Sequence, residues 1–209
     1  VSTWIRDRLE QLVIDRERRI AWMTRRRAQI VPIPHAEWRA GQREIAEAVE
    51  WGLDAGQTVL VEAPTGLGKT DAALVGVLKF ALQTGRQVFW ATARTTQQDG
   101  ILRALRRLKE AGLAVRSVQI AARGKVCLND IVSCRPDACR YADGYYDRLA
   151  TSGLPAALAD RDDHVDVATL RAIGEQCRLC PFELALDLTA EVDVVVGDYN
   201  YVFEPSVHL

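Results

Sequence analysis

The sequence lacks several features that would place it in common classes of protein. It contains no run of about 18 apolar residues, which a membrane-spanning helix requires. Its amino terminus is charged from Arg6 onward and has no apolar core of the kind found in signal peptides. Internal repeats and low-complexity segments are also absent. We therefore expect a protein of the cytoplasm that is neither secreted nor embedded in a membrane.

Histidine is scarce, and the three present, His35, His164 and His208, lie far apart in the sequence. None of them accompanies a serine or cysteine in a pattern typical of nucleophilic catalysis, so we assign them no catalytic role. The net charge of −1 also indicates no particular partner, because the charges are unevenly distributed. The 209 residues, 48% of them hydrophobic, suffice for one large or two small domains with a real core.

The stretch Thr58–Asp71, TVLVEAPTGLGKTD, carries the strongest chemical signal. Its apolar beginning, Val59–Glu62, predicts the end of a buried strand, and its end predicts the start of a helix. A strand, a glycine-rich turn and a helix start form the setting of a phosphate-binding loop. Gly66 and Gly68 would let successive backbone N–H groups face one concavity, to which the helix adds its positive dipole end.

Two side chains of this loop are predicted to make catalytic contacts with ATP and Mg²⁺. Lys69 would reach the β- and γ-phosphates, and the Thr70 hydroxyl would bind the Mg²⁺ ion. Ala63 occupies the position of the first glycine of the usual pattern, and this favours the variant A-P-T-G-x-G-K-T found in many helicases. The predicted nucleotide contacts of the loop are Gly66, Leu67, Gly68, Lys69 and Thr70.

One helix is expected on each side of a proline-rich break at residues 31–34. The segment before it, residues 1–30, has eight arginines against four acidic residues, and is either an arm that contacts phosphates or a solvated linker helix. The segment after it, residues 35–53, is predicted to be helical throughout. It contains Arg39-x-x-Gln42, and the Gln42 amide could pair with the edge of an adenine ring.

Strands alternate with helices beyond the loop, which predicts βαβ units and a parallel sheet. Strands are expected at residues 87–91, 115–121 and 192–197. Residues 86–125 carry nine basic side chains against two acidic ones. Arg94 and Thr95 follow the first of these strands, at the edge where such sheets bind their ligands, and we expect them to contact a nucleic-acid backbone.

All five cysteines lie between residues 123 and 181, where the regular alternation stops. Such clustering indicates a metal site rather than scattered core thiols. Pro181 follows Cys180, as is common for the last ligand of an iron–sulfur cluster, whereas Cys177-x-x-Cys180 alone would suggest a zinc ribbon. The spacing leaves both metals open. Short helices are expected around the site at residues 141–149, 154–158 and 167–173.

Taken together, these motifs resemble the iron–sulfur helicases of superfamily 2, the XPD/DinG-like group. The matching stretches are Arg39-x-x-Gln42, EAPTGLGKT at 62–70, TARTTQQ at 92–98, RGKVC at 123–127, CRPDAC at 134–139, CPFELALD at 180–187 and DVVVGDYNYVF at 193–203. They occur in the order of the family and cover nearly all of the chain after residue 30.

The resemblance implies a monomeric, ATP- and Mg²⁺-dependent motor that unwinds DNA in repair or replication, moving 5′ to 3′ on a single strand. It implies a four-iron–four-sulfur cluster at the point where the duplex splits, and contact with single-stranded DNA and duplex junctions. Arg39 and Gln42 resemble the adenine-side motif of the family, and Arg94, Thr95 and Arg123 resemble its DNA-contacting residues. The implied cluster ligands are Cys127, Cys134, Cys139 and Cys180, with Cys177 as the spare thiol.

The resemblance also implies a division of the chain into four segments. We expect a basic helical arm at 1–34, the first part of a RecA-like P-loop motor domain at 35–122, an inserted small helical cysteine-rich metal domain at 123–181, and the continuation of the motor at 182–209. The Asp-Glu-Ala-His motif of the family does not occur in the sequence. We therefore expect a truncated motor domain that does not hydrolyse ATP by itself. Two alternatives stay open: a zinc-stabilised nucleotide-binding module, and a nucleic-acid-binding protein whose phosphate loop is a relic.

Overall fold

The computed structural model describes residues 2–159 and 164–204, so His208 lies outside the described part of the chain. In chain order, the helices and strands are α1 (Ser2–Arg27), α2 (Gln42–Asp54), α3 (Lys69–Thr84), β1 (Val88–Thr92), α4 (Thr95–Glu110), β2 (Ser117–Gln119), α5 (Arg123–Val126), α6 (Tyr145–Thr151), α7 (Leu154–Ala159), β3 (His164–Val165), α8 (Val167–Cys177), α9 (Pro181–Thr189), β4 (Val194–Asp198) and α10 (Asn200–Phe203).

Within the described residues, four strands form one parallel sheet in the order β1-β4-β2-β3. In the centre, β4 pairs with β1 along its whole length and with β2 on its other side. The predicted parallel α/β fold is thus confirmed, as are three of the strands expected from apolar runs. All carboxyl ends of parallel strands lie at one edge of the sheet, which fixes where the loops after β1, β2 and β4 meet.

Helices cover both faces of the sheet because the central strand is apolar on both sides. Val194 and Val196 point into one core together with Leu74 and Leu78 of α3 and Leu105 of α4. The intervening Val195 belongs to a second core on the opposite face, which also contains Val118, Leu170, Leu184 and Leu188. A strand buried on both faces is typical of parallel sheets, and it explains the continuous valine run of β4.

The shortest strand, β3, was missed by the sequence analysis and belongs to the cysteine-bearing segment. Val165 lies beside Val118 of β2, and Ser117 Oγ is 2.7 Å from His164 Nδ1. Leu170 of the following helix is fully buried in the second core. Part of the 123–181 segment therefore extends the sheet itself, and the proposed division of the chain at these residues stays a prediction.

The prediction of a strand at Val59–Glu62 is wrong. These residues have no strand partner among the described residues, and Leu60 is 95% exposed. A strand requires a neighbour for its backbone N–H and C=O groups, and an apolar run alone does not provide one. Only Val59 is anchored, because its side chain packs closely against Gly52 of α2.

The helix predicted across residues 35–53 begins later than expected, at Gln42. Gly41, which precedes it, has φ of +83°, a left-handed conformation that an α-helix cannot include. Arg39 therefore lies in a turn before α2 rather than on the helix.

The predicted amino-terminal helix is confirmed as α1, and its last turns dock at the amino-terminal edge of the sheet. Arg26 Nε lies 2.7 Å from Asp193 Oδ1, and both side chains are almost fully buried. The Trp22 ring also stacks with two cations, since its centre lies 4.8 Å from the Arg26 guanidinium and 4.5 Å from that of Arg116. No described helix, α1 included, has an apolar stretch long enough to cross a membrane.

Candidate functional site

The glycine-rich turn before α3 has the backbone geometry expected of an anion-binding loop. Gly66 and Gly68 both adopt left-handed conformations, with φ of +84° and +87°. Such values turn successive N–H groups toward one side, and residues with a Cβ adopt them only at a cost. Gly68 is the residue directly before α3, so the turn ends at a helix amino terminus.

Lys69 lies against this turn. Its Nζ donates to the Ala63 and Pro64 carbonyl oxygens, at 2.7 Å in each case. Thr70 is the second residue of α3 and is exposed. A phosphate oxygen is a stronger acceptor for an ammonium group than a neutral carbonyl, because its hydrogen bond is charge-assisted. Lys69 and Thr70 thus stand at the loop where the sequence predicted them.

Gln42 is buried beneath the loop, with only 1% of its surface exposed. Its Nε2 donates to the Leu67 carbonyl at 2.9 Å, and its Oε1 accepts from the Arg39 backbone N–H at 3.0 Å. A Cβ on Gly68 would collide with the same Nε2. The amide that was predicted to pair with adenine is therefore bonded at both ends, to the loop through Leu67 and to the turn before α2 through Arg39, and the adenine contact stays a prediction.

Asp71 connects the loop helix to the basic helix α4. One carboxylate oxygen accepts from Arg107 of α4, and the other lies 3.1 Å from His35 Nε2. The aspartate is buried and directly follows Thr70 in the chain. A displacement of the first turn of α3 would consequently be transmitted to α4.

A large cavity, of about 850 Å³, opens at the carboxyl edge of the sheet. It lies beyond the ends of β1, β2 and β4, where ligands bind in sheets of this type. Lys125 Nζ donates to Thr95 Oγ1 at 3.1 Å within it. The lining residues are Thr95, Gln98, Asp99, Gln119, Ala121, Ala122, Arg123, Lys125, Val167, Phe182, Leu186, Asp198, Asn200 and Tyr201.

The cavity brings together two of the three predicted DNA contacts. Thr95 and Arg123 both line it, whereas Arg94 is exposed just before α4 and is not among the lining residues. The Arg123 guanidinium lies 4.5 Å from the centre of the Phe182 ring and 3.8 Å from a Glu183 carboxylate oxygen. A cation held against an aromatic ring forms a surface suited to a phosphate and a base together.

The four cysteines predicted as metal ligands line one cavity. A second cavity, which shares Arg123 and Phe182 with the first, is lined by Cys127, Cys134, Cys139 and Cys180. Cys177, at the end of α8, does not line it. The four thiols are the donor set that an iron–sulfur cluster requires. Within the described residues, no three His, Cys, Asp or Glu side chains converge closely enough to hold a single metal ion.

The electrostatics of Cys180 reflect its place at the start of α9. Burial raises the pKa of its thiol, while the backbone N–H groups of Glu183 and Phe182 act to lower it and favour the thiolate. The nearby Glu183 and Cys139 raise it further. A positive charge introduced among these thiols would relieve that repulsion, which is what a cationic metal centre does.

Two hydrogen bonds brace the thiol cavity. Tyr145 Oη donates to Asp187 Oδ2 at 2.7 Å and thereby ties α6 to α9. Arg171 Nη1 donates to the Cys127 carbonyl at 2.6 Å, which ties the first thiol to α8. Burial, followed by the bond to Asp187, raises the pKa of Tyr145, so this hydroxyl remains a donor.

Sequence reasoning missed three residues at these sites. Lys125 and Phe182 stand within the stretches RGKVC and CPFELALD, so their closeness to predicted site residues was a usable signal. Asn129, whose Nδ2 donates to Cys139 Sγ at 3.2 Å, gave no signal. Nothing in the order of residues indicates which polar side chain of a loop will face a sulfur atom.

Comparisons with known proteins identify the family of this chain. Residues 91–208 match the DEAD_2 family. The chain is 26% identical over 169 residues to a regulator of telomere elongation helicase 1 homolog from Anopheles gambiae, covering 70% of this chain and 16% of that protein. It is 24% identical over 197 residues to the general transcription and DNA repair factor IIH helicase subunit XPD from Arabidopsis thaliana, covering 79% of this chain and 26% of that protein.

Solved structures support the fold. An XPD helicase structure superposes with a TM-score of 0.57 at 22% identity, over 83% of this chain and 30% of that one. A truncated XPD structure gives a TM-score of 0.53 at 21% identity, over 78% and 46%. The chain spans about a quarter or less of the length of the curated relatives named above. The match to more than half of its residues shows that the chain belongs to the DEAD_2 family, within the XPD/DinG-like group of superfamily 2 helicases.

Proposed function

We propose that this chain forms part of an ATP-dependent DNA helicase that carries a four-iron–four-sulfur cluster and moves 5′ to 3′ on a single strand. The observation that carries the proposal is the joint placement of three features around one parallel sheet: a glycine-rich turn before α3, a cavity at the carboxyl edge whose lining includes Arg123 and Lys125, and a cavity lined by four thiols beside it.

The nucleotide would bind at the loop through a small number of defined contacts. Lys69 would exchange its bonds to the Ala63 and Pro64 carbonyls for bonds to phosphate oxygens, and the Thr70 hydroxyl would bind Mg²⁺. Mg²⁺ neutralises charge on the phosphates during their transfer. Gln42 keeps the Leu67 carbonyl in place and so holds the loop ready for this exchange.

Single-stranded DNA would bind at the cavity beyond β1, β2 and β4. Arg123 and Lys125 supply positive charge for the backbone, and Phe182 supplies a flat face for a base. Thr95 is fixed by its bond to Lys125, which places a hydroxyl at the start of the basic helix α4. The Asp71–Arg107 ion pair then offers a path from the nucleotide loop to this surface.

Cys127, Cys134, Cys139 and Cys180 would hold the cluster, and Cys177 would not. The donor set fits, because four thiolates complete a cubane of this type, one for each iron. The cluster would supply a cross-link between the loops that carry Cys127, Cys134 and Cys139 and the start of α9, together with a one-electron redox centre. The residues around it do the positioning: Tyr145 holds α6 on α9, and Arg171 holds the Cys127 carbonyl.

The proposal is tested on the whole helicase of which this chain would form part, because the chain by itself is expected not to hydrolyse ATP. The assay measures unwinding of a duplex with either a 5′ or a 3′ single-stranded tail. We expect ATP-driven unwinding only from the 5′ tail, and its loss in Lys69→Ala without loss of folding or iron, because Lys69 contributes phosphate contacts rather than packing. Lys79→Ala, on the same helix but in a surface ion pair with Glu50, is the matched control. Near wild-type turnover by Lys69→Ala would remove the nucleotide-site assignment.

A further inference from the structure

One hydrogen bond reaches a sulfur atom from a side chain that the family motifs do not include. Asn129 Nδ2 donates to Cys139 Sγ over 3.2 Å. Cys139 is 5% exposed, and Asn129 is half-buried, so water competes little for this contact. A thiol is a weak acceptor, whereas a metal-bound thiolate carries more negative charge and accepts more strongly.

The two partners come from different loops. Asn129 is two residues beyond Cys127, whose backbone N–H donates to the Arg123 carbonyl at 3.0 Å. The Cys139 N–H donates to the Arg135 carbonyl at 2.9 Å, and its own carbonyl accepts from the Asp143 N–H at 3.0 Å. The loop of Cys139 is therefore fixed by its own backbone bonds, and the loop of Asn129 begins at an anchored residue.

A donor pointed at a cluster sulfur has a defined electrochemical effect. One-electron reduction adds negative charge to the cluster, and part of it resides on the sulfur ligands. A hydrogen bond to such a sulfur stabilises the reduced state more than the oxidised state, and thereby raises the reduction potential.

We propose that Asn129 tunes the reduction potential of the cluster by donating its amide N–H to the Cys139 thiolate. This inference rests on the proposed function, because it requires Cys139 to be a cluster ligand. Asn129 is a positioning and tuning residue here: it touches a ligand of the metal and not the metal itself.

The test is an anaerobic titration of the intact protein with dithionite, followed by electron paramagnetic resonance. We expect Asn129→Leu, which keeps the volume but removes the donor, to retain iron and sulfide and to show a lower midpoint potential than the wild type. Asp130→Leu is the matched control, since Asp130 is the exposed neighbour. It removes a negative charge and leaves the donor in place, so its potential should be unchanged or higher.

The outcomes separate this inference from the proposed function. A wild type without iron and sulfide would overturn both. An intact cluster whose potential is the same in Asn129→Leu and the wild type would overturn the tuning role alone. If Asn129→Leu loses iron, Asn129→Gln, which keeps an amide donor, should restore iron and a potential near that of the wild type. Iron loss from both variants would contradict the hydrogen-bond account.

Discussion

Gln42 is the side chain for which the structure and the family resemblance make different predictions. The resemblance assigns its amide to adenine, whereas the structure places it under the phosphate loop, bonded to the Leu67 carbonyl and the Arg39 N–H. Gln42→Ala removes both bonds. Only the bond to Leu67 is made to the loop, so at about 1 kcal/mol for a buried hydrogen bond the present loop conformation loses about 1 kcal/mol.

If that conformation is the one that binds phosphates, a loss of this size weakens nucleotide binding by up to about fivefold. The loss should be the same for ATP and GTP, because the loop contacts the phosphates and not the base. Isothermal titration calorimetry with both nucleotides measures it, and Gln57→Ala, an exposed glutamine just beyond α2, is the control. Weakening confined to ATP would refute the loop-support reasoning and restore the adenine contact.

Two further consequences concern DNA and pH. The affinity for single-stranded DNA should fall steeply with salt, with a slope in log K against log salt concentration of about −0.7 for each phosphate contacted. The slope should be smaller in Arg94→Ala and Arg103→Ala than in the control Arg43→Ala. A salt-independent affinity, measured by fluorescence anisotropy, would exclude DNA binding at the surface that carries Arg94 and Arg103. Burial opposes ionisation of Asp166, but bonds from Thr169 and the charge of Arg106 outweigh it and lower the pKa of the carboxyl. A carboxyl whose pKa is lowered by folding stabilises the fold at pH values above its unfolded pKa of about 3.9. Asp166→Ala should therefore lower the free energy of unfolding by about 1 kcal/mol at pH 7, measured by denaturant titration. The difference should shrink as the pH falls below about 4, and Glu175→Ala, exposed on the same helix, should show neither effect.

The sequence predicted those parts of the fold whose signal is local. The valine run 194–196 indicated a buried strand, which is present. The turn at Gly66 and Gly68 has the left-handed conformations expected of a phosphate loop, and the binding of phosphate there stays a prediction. The run Val59–Glu62 looked equally strand-like, yet it has no strand partner within the described residues. Apolar composition states what a segment can bury, but pairing depends on neighbours from elsewhere in the chain.

Contacts between distant residues were not predictable. Arg26 forms an ion pair with Asp193, which is far away in the sequence, and no pattern near either residue indicates this contact. Asn129 and Cys139 are close in the sequence, but the hydrogen bond between them depends on how two loops face each other. For the thiols, clustering indicated a metal site, and the assignment of Cys177 as the spare thiol came from the family resemblance; the cavity lining is consistent with it, and the ligand set stays a prediction.

The most direct test of the account is the iron and sulfide content of the wild type and five single Cys→Ser variants, prepared without oxygen. We expect iron and sulfide in the wild type and in Cys177→Ser, and their loss when Cys127, Cys134, Cys139 or Cys180 is replaced. Loss of iron in Cys177→Ser with retention in Cys134→Ser or Cys139→Ser would contradict the ligand set. A wild type that holds one zinc and no sulfide would contradict the cluster itself.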